Sequence, residues 1–150
     1  METMRLLTWN INSLRLRLPL LERLVNEQNP DVICLQETTG PDPLFPIGAR
    51  RELGYPHIHF AGMKGYNGVA VLSRVPFAPL DGLPSWCART DCRHIAVRLD
   101  VASGPVLLHD FYVPAGGDIP DREANEKFAH KLDFVDEVTR WFTTTPPAGT

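Results

Sequence analysis

The chain has 150 residues, with 43% hydrophobic and 22% charged side chains, normal proportions for a soluble globular protein and a length that fits one domain or part of one. Fifteen basic and 18 acidic residues give a net charge of −3, and no long basic block advertises nucleic acid, although a local basic rim remains compatible with that total. No apolar stretch approaches the ~20 residues needed to span a bilayer, and no charged segment with an apolar signal core opens the chain, so a cytoplasmic protein with no membrane partner is expected.

The run Met4 to Trp9 is predicted as a strand ending in Asn10-Ile11-Asn12. Pro19 to Gln28 reads as a helix. Asn29-Pro30-Asp31 stops it, because the residue before a proline avoids the helical region. The run Asp31 to Gln36 is a second strand, ending in Glu37. A strand, a crossover helix and a strand make a unit whose two strands run parallel. Ligands of open α/β sheets sit beyond the carboxyl ends of such strands. Asn10 and Glu37 therefore face one crevice and make a candidate cation site. Each has an ordinary alternative: Asn10 caps a turn, and Glu37 is solvated.

Gly40 to Pro46 is a proline-rich loop, and Leu44 to Leu53 a candidate short helix ended by Gly54. Pro56 to Ala61 alternates as a strand. Val69 to Ser73 is another, after a turn holding Gly62, Gly65 and Gly68. Arg93 to Val101 alternates, with Ile95, Val97 and Leu99 on one face. Ser103-Gly104-Pro105 turns the chain into the apolar strand Val106 to Tyr112, so the pair resembles a hairpin. A long loop follows. Arg122 to Phe142 then reads as an amphipathic helix, whose stripe Phe128, Leu132, Val135, Val138 and Phe142 suits core packing. Residues 143–150 have the composition of a linker. Cys34, Cys87 and Cys92 form neither a disulfide framework nor a zinc site, and a reducing compartment is the default.

Several motifs agree in order. Thr8-Trp9-Asn10-Ile11-Asn12-Ser13-Leu14-Arg15 resembles the first motif of the exonuclease III family of AP endonucleases, within the endonuclease/exonuclease/phosphatase superfamily. Pro30-Asp31-Val32-Ile33-Cys34-Leu35-Gln36-Glu37-Thr38 is similar to its second. The segment Lys64 to Arg74 is similar to its third. Phe111-Tyr112-Val113-Pro114-Ala115-Gly116-Gly117 matches the strand and loop of its active-site tyrosine.

The resemblance implies an α/β chain forming the N-terminal half of a four-layer, DNase I-like sandwich: residues 1–142 as one mixed sheet flanked by helices, 143–150 as a tail. The family's later Gly-Asp-x-Asn strand and Asp-His pair have no counterpart here. The expected picture is a first half lacking the second sheet that covers its open face, hence marginal in stability and inactive alone.

The implied function is DNA repair by phosphodiester hydrolysis with magnesium, manganese being an alternative, on abasic or 3′-end-containing duplex DNA. The resemblance makes Glu37 the principal metal ligand, Asn10 its partner, and Tyr112 the tyrosine beside the scissile phosphate. Asn12, Arg15, Lys64, Asn67, Arg93 and Lys127 are weaker candidates for DNA contacts. Two rival readings are a phosphatase of the same superfamily and a non-catalytic nucleic-acid-binding homologue. Intact Asn10, Glu37 and Tyr112 argue against the latter.

Overall fold

Strand β1 (Leu6–Asn10), helix α1 (Leu14–Gln28) and strand β2 (Val32–Gln36) open the fold as the expected parallel crossover unit. They belong to a computed structural model that describes residues 3–40 and 53–144. The helix begins earlier than Pro19. Ser13 caps it, its Oγ accepting from the Leu16 N–H at 3.3 Å, which ties down one of the unpaired amides of a first turn. Pro19 lies inside the helix at an exposed position. Asn29 closes it in the left-handed region at φ 47°, donating to the Val25 carbonyl, as helix ends commonly do.

Strands β3 (His57–Ala61) and β4 (Val69–Ser73) complete a four-stranded sheet of order β1-β2-β4-β3. β1 and β2 are parallel, while β4 runs antiparallel to both β2 and β3, so the sheet is mixed. Side chains alternate across its faces. Ile33 and Leu35 of β2, with Ala70 and Leu72 of β4, join Leu14, Leu21 and Val25 of α1 in one apolar cluster. Tyr55 lies in that cluster and donates its hydroxyl to the Pro30 carbonyl at 2.6 Å, so the buried phenol is satisfied. The short helix expected at Leu44 to Leu53 and most of the Gly40–Pro46 loop fall outside the described residues. Leu53 itself is buried in the same cluster.

The opposite face corrects the expectation of a single, half-bare sheet. β5 (Phe77–Pro79), β6 (His94–Val101) and β7 (Gly104–Phe111) form a second, antiparallel sheet of order β5-β6-β7. β6 and β7 are the expected hairpin, Val101 pairing with Gly104. Ile95, Val97 and Leu99 pack with Val32 and Cys34 of β2 and Val69 and Val71 of β4. Alternation fixes which residues share a face but not which sheet a strand joins. The face of β2 and β4 is thus covered from within the chain. Leu6 on the edge strand β1 stays 50% exposed.

The described chain divides into two compact units. The first runs to Leu83 and includes Asp91–Tyr112; the second holds Pro84–Thr90 and the chain from Val113 onward. In the second, a 3-10 turn at Trp86–Ala88 accompanies helix α2 (Glu126–Thr144). This helix starts later than Arg122. The Asp121 carboxylate accepts from the Glu123 N–H at 2.8 Å, a local bond that holds a turn in place of helix, and Asn125 Oδ1 accepts from the Lys127 N–H at 3.1 Å, capping the helix where it starts. The expected apolar stripe is also displaced. Leu132, Val135 and Phe142 are each more than a third exposed, whereas Phe134 is buried. Trp86 meets Phe134 and Trp141 with ring centroids 5.9 and 5.7 Å apart, so the inward face follows Phe134 and Trp141, i and i+7. Among the described residues no helix is long and apolar enough to cross a membrane.

The sandwich interface yields a test. Leu99 is fully buried, whereas Leu16 on α1 is 71% exposed. Leu99→Ala should lower unfolding free energy by about 2–4 kcal/mol, and Leu16→Ala by no more than ~0.5 kcal/mol. Urea melts of the two variants check this; equal effects would refute the sandwich packing.

Candidate active site

The ends of β1, β2 and β7 converge. Asn10 and Gln36 are parallel partners at the last rung of β1 and β2. The Ile11 N–H donates to the Gln36 carbonyl at 3.0 Å and the Ser13 N–H to the Glu37 carbonyl at 2.8 Å. Glu37 then leaves the strand in the left-handed region, φ 55°. Ile33 and Leu35 face α1, so a regular continuation would aim residue 37 at that apolar cluster. The positive φ turns the carboxylate away from it. The Tyr112 hydroxyl, just past the end of β7, donates to Glu37 Oε1 in a short hydrogen bond. The two residues that sequence singled out from separate motifs therefore touch.

Tyr112 is held from several directions. Its backbone N–H donates to the Arg93 carbonyl at 2.7 Å. The Arg93 guanidinium lies 4.8 Å from the centroid of its ring, a cation–π contact. Arg93 Nη1 reaches the Tyr112 carbonyl at 3.4 Å, and Arg93 Nε donates to Asp91 Oδ2 at 2.7 Å. Asn67 is buried, and its Nδ2 donates to the Asp91 carbonyl at 2.7 Å. The side chains of Arg93 and Asn67, candidates for DNA contacts, are thus engaged within the protein. They brace the tyrosine and the turn behind it.

That turn approaches the Glu37 loop closely. The Thr38 N–H donates to the Gly68 carbonyl at 3.3 Å and the Thr39 N–H to the Asn67 carbonyl at 2.8 Å. Gly68 has φ 101°, and a Cβ there would meet Thr38 Oγ1 at 2.1 Å. Only glycine fits both constraints. Asn12, Ser13, Thr39 and Asn67 also carry positive φ, so the site is rimmed by backbone conformations that cost of order 1–3 kcal/mol for non-glycine residues.

The remaining candidates spread over the surface. Asn12, Arg15 and Lys64 are exposed in the first unit. Lys127 is exposed in the second, at the start of α2. Tyr66, to which sequence reasoning gave no role, stands 59% exposed in the glycine-rich turn between Lys64 and Asn67. Among the described residues no three His, Cys, Asp or Glu side chains gather into a metal cluster. Glu37 and Asn10 supply a carboxylate and an amide, both oxygen donors.

A second signal passed over in the sequence is Asp110. It is 2% exposed on the inner face of β7 and accepts from Gln36 Nε2 at 2.7 Å. Burial pushes its carboxyl up to about 7, against the downward pull of the Gln36 amide and of the Ala70 and Leu35 backbone N–H groups. The same burial, then the neighbouring Asp110, pushes the Cys34 thiol up to about 12, so Cys34 is an inert packing group.

Burial raises the Tyr112 phenol above its ordinary value; the hydrogen bond and charge of Glu37 raise it further, and Arg93 opposes both. Tyr112 is therefore a neutral hydrogen-bond donor at neutral pH. Glu37→Gln should bring its titration down, because an anionic neighbour is removed. Arg93→Ala should move it up. Carbon NMR of the tyrosine ring resolves Tyr112 from Tyr55 and Tyr66. A downward shift on removing Arg93 would contradict the arrangement.

The Endonuclease/Exonuclease/phosphatase family matches residues 7–149. Exodeoxyribonuclease III from Haemophilus influenzae is 32% identical over 139 residues, covering 92% of this chain and 51% of its own length. Exodeoxyribonuclease from Bacillus subtilis is 36% identical over 73 residues, covering 47% of this chain and 28% of its own. The chain thus spans about half the length, or less, of these curated relatives. Among solved structures, an AP endonuclease from Archaeoglobus fulgidus superposes with a TM-score of 0.76 at 30% identity, covering 97% of this chain and 53% of that one. The 3′ phosphatase NExo from Neisseria, bound to a product DNA hairpin, superposes with a TM-score of 0.65 at 35% identity, covering 92% and 54%. With residues 7–149 of the chain matched and the paired strand ends in place, this chain belongs to the Endonuclease/Exonuclease/phosphatase family.

Proposed function

We propose that this chain carries part of the active site of a DNA phosphodiesterase of the exonuclease III and AP endonuclease type. The observation that carries the reading is the meeting of Tyr112 and Glu37 at the end of β2, beside Asn10. Similarity to exodeoxyribonuclease III and to an AP endonuclease supports it.

The donor set suits magnesium, with manganese as a substitute. Both are hard cations that take oxygen ligands, and magnesium is held by one or two carboxylates while keeping several waters. Glu37 and Asn10 would hold it. Bound there, the ion supplies neutralisation of charge on the phosphate oxygens. Tyr112, kept protonated, donates a hydrogen bond to a non-bridging phosphate oxygen whose charge grows as water adds to phosphorus in line. Arg93 keeps the phenol in place by ring contact and by its bond to the Tyr112 carbonyl. The P–O bond to the leaving oxygen then breaks; the attacking water releases one proton to solvent and the leaving oxygen takes one up from solvent. Exposed Lys64, Arg15 and Asn12 offer phosphate contacts, and the exposed ring of Tyr66 a stacking surface.

The residues that the family resemblance assigns to a second half orient the water and complete the catalytic set. Losing one member of a cooperating set costs orders of magnitude, so Asn10, Glu37 and Tyr112 are proposed to act only together with that second half. A second reading has its own support. The relative described as a 3′ phosphatase on a DNA hairpin points to a phosphomonoester at a DNA 3′ end, attacked by the same groups.

In the intact protein, Glu37→Ala should abolish magnesium-dependent cleavage, by about 10³-fold or more. Tyr112→Phe should lower kcat by roughly 10²-fold with DNA affinity changed by less than about threefold, since the hydroxyl acts in the transition state. Steady-state kinetics on duplexes with an abasic site and with a 3′ phosphate measure both variants and separate the two readings. Full activity of Glu37→Ala on both substrates would end the proposal.

A further inference from the structure

Among the described residues, the buried carboxyl group is that of Asp110, at the apolar interface between the two sheets. Asp110 is 2% exposed on β7, opposite Ile95 of β6, and shares the parity of Val106 and Leu108, which pack into the cluster between the sheets. Oδ1 accepts from Gln36 Nε2 at 2.7 Å, and the same amide nitrogen donates to Thr8 Oγ1 at 3.0 Å. Oδ2 makes no hydrogen bond of good geometry among the described residues, although the backbone N–H groups of Leu35 and Ala70 point toward the carboxylate. Burying such a group costs free energy, and an apolar residue of similar size would stabilise the interface better. A use beyond packing is needed to account for it.

Gln36 indicates that use. It ends β2 and directly precedes Glu37. It is the register partner of Asn10, and its carbonyl accepts the Ile11 N–H at 3.0 Å. Its side chain reaches β1 through Thr8 and β7 through Asp110, two residues before Tyr112. One amide therefore ties together the three strand ends that carry Asn10, Glu37 and Tyr112. Its free rotation would loosen all three, and Asp110 is the acceptor that stops it.

We propose that Asp110 is a positioning residue that clamps Gln36 and thereby sets the placement of Asn10 and Glu37 for a divalent cation. The inference rests on the reading of those two residues as cation ligands. Asp110 touches neither cation nor substrate. Its effect passes through the Gln36 amide, as outer partners of metal ligands commonly act.

The test uses the intact protein, with magnesium affinity measured by calorimetry and stability by thermal melting, both independent of turnover. Asp110→Asn retains an acceptor oxygen for Gln36, so its magnesium Kd should stay within about threefold of the parent. Asp110→Leu removes the acceptor at similar volume. It should melt no lower than the parent, yet weaken magnesium binding by about 10-fold, the lower bound for losing an outer partner. Gln36→Leu should weaken it equally, and it decides the matter if Asp110→Leu does not fold. Unchanged affinity in a folded Asp110→Leu or Gln36→Leu protein overturns the positioning role. Glu37→Gln separates the two levels. Should it leave magnesium affinity intact, the ligand reading itself fails; should it abolish binding while Asp110→Leu and Gln36→Leu do not weaken it, only the clamp fails.

Discussion

The packing of β6 and β7 against β2 and β4 is the interaction on which the rest depends. Ile95, Val97 and Leu99 bury against Val32, Cys34, Val69 and Val71, and apolar burial of this kind stabilises by roughly 25 cal/mol per Å² removed from water. The same contact does a second job. It lays the end of β7 across the end of β2, so that Tyr112 arrives beside Glu37. A residue 75 positions away in sequence is brought to the carboxylate by apolar side chains that take no part in the chemistry. Loss of that packing would separate the pair before it touched either residue.

Rigidity at the site is achieved by backbone constraint as much as by side chains. The Glu37 loop and the Asn67–Gly68 turn exchange hydrogen bonds through Thr38 and Thr39. Gly68 lies too close to Thr38 for any side chain. Strained residues persist only when their surroundings over-determine them, and here the surroundings are the backbone bonds from Thr38, Thr39 and Gly68. Arg93 and Asn67 belong to this support. Their polar groups are directed inward to Asp91 and Tyr112, which explains why two residues that sequence marked as candidate DNA contacts are half-buried or buried.

Much of this was legible in the sequence because it depends on strand ends. Apolar runs that stop at Asn10 and Glu37, separated by a helix, define a parallel unit whatever the remainder does. Val69–Ser73 is visible from the apolar run after the glycine-rich turn, and the β6–β7 hairpin from the alternation of Arg93 to Val101 and from Ser103-Gly104-Pro105. Other features depend on tertiary context. Pro19 looked like a first helical residue, but the Ser13 hydroxyl is the cap and the helix accommodates the proline on its exposed side. β5 was missed because three residues ending in proline carry almost no periodicity. The α2 stripe was set one face away, since Phe134 was passed over and the position of Trp86 could not be read from spacing. The second sheet escaped notice for the same reason: alternation in β6 showed an apolar face, not what that face would cover.

Asp110 shows why buried polar groups are the hardest part of a site to read from sequence. In β7 the residues Val106, Leu108, Asp110 and Tyr112 share one parity, and the first two simply fill the sandwich. An aspartate at the third position looks like an interruption of an apolar strand. On β2 the parity runs Val32, Cys34, Gln36, also two apolar positions followed by a polar one. The two interruptions fall at matching depth and meet as donor and acceptor. Beyond them the parity breaks: Glu37 leaves the strand at positive φ while Tyr112 keeps to its face, and the carboxylate is met by the phenol. The apolar sandwich therefore grades into the polar site through one matched pair, and a substitution that restored a fully apolar strand would strengthen the core while releasing the strand ends it supports.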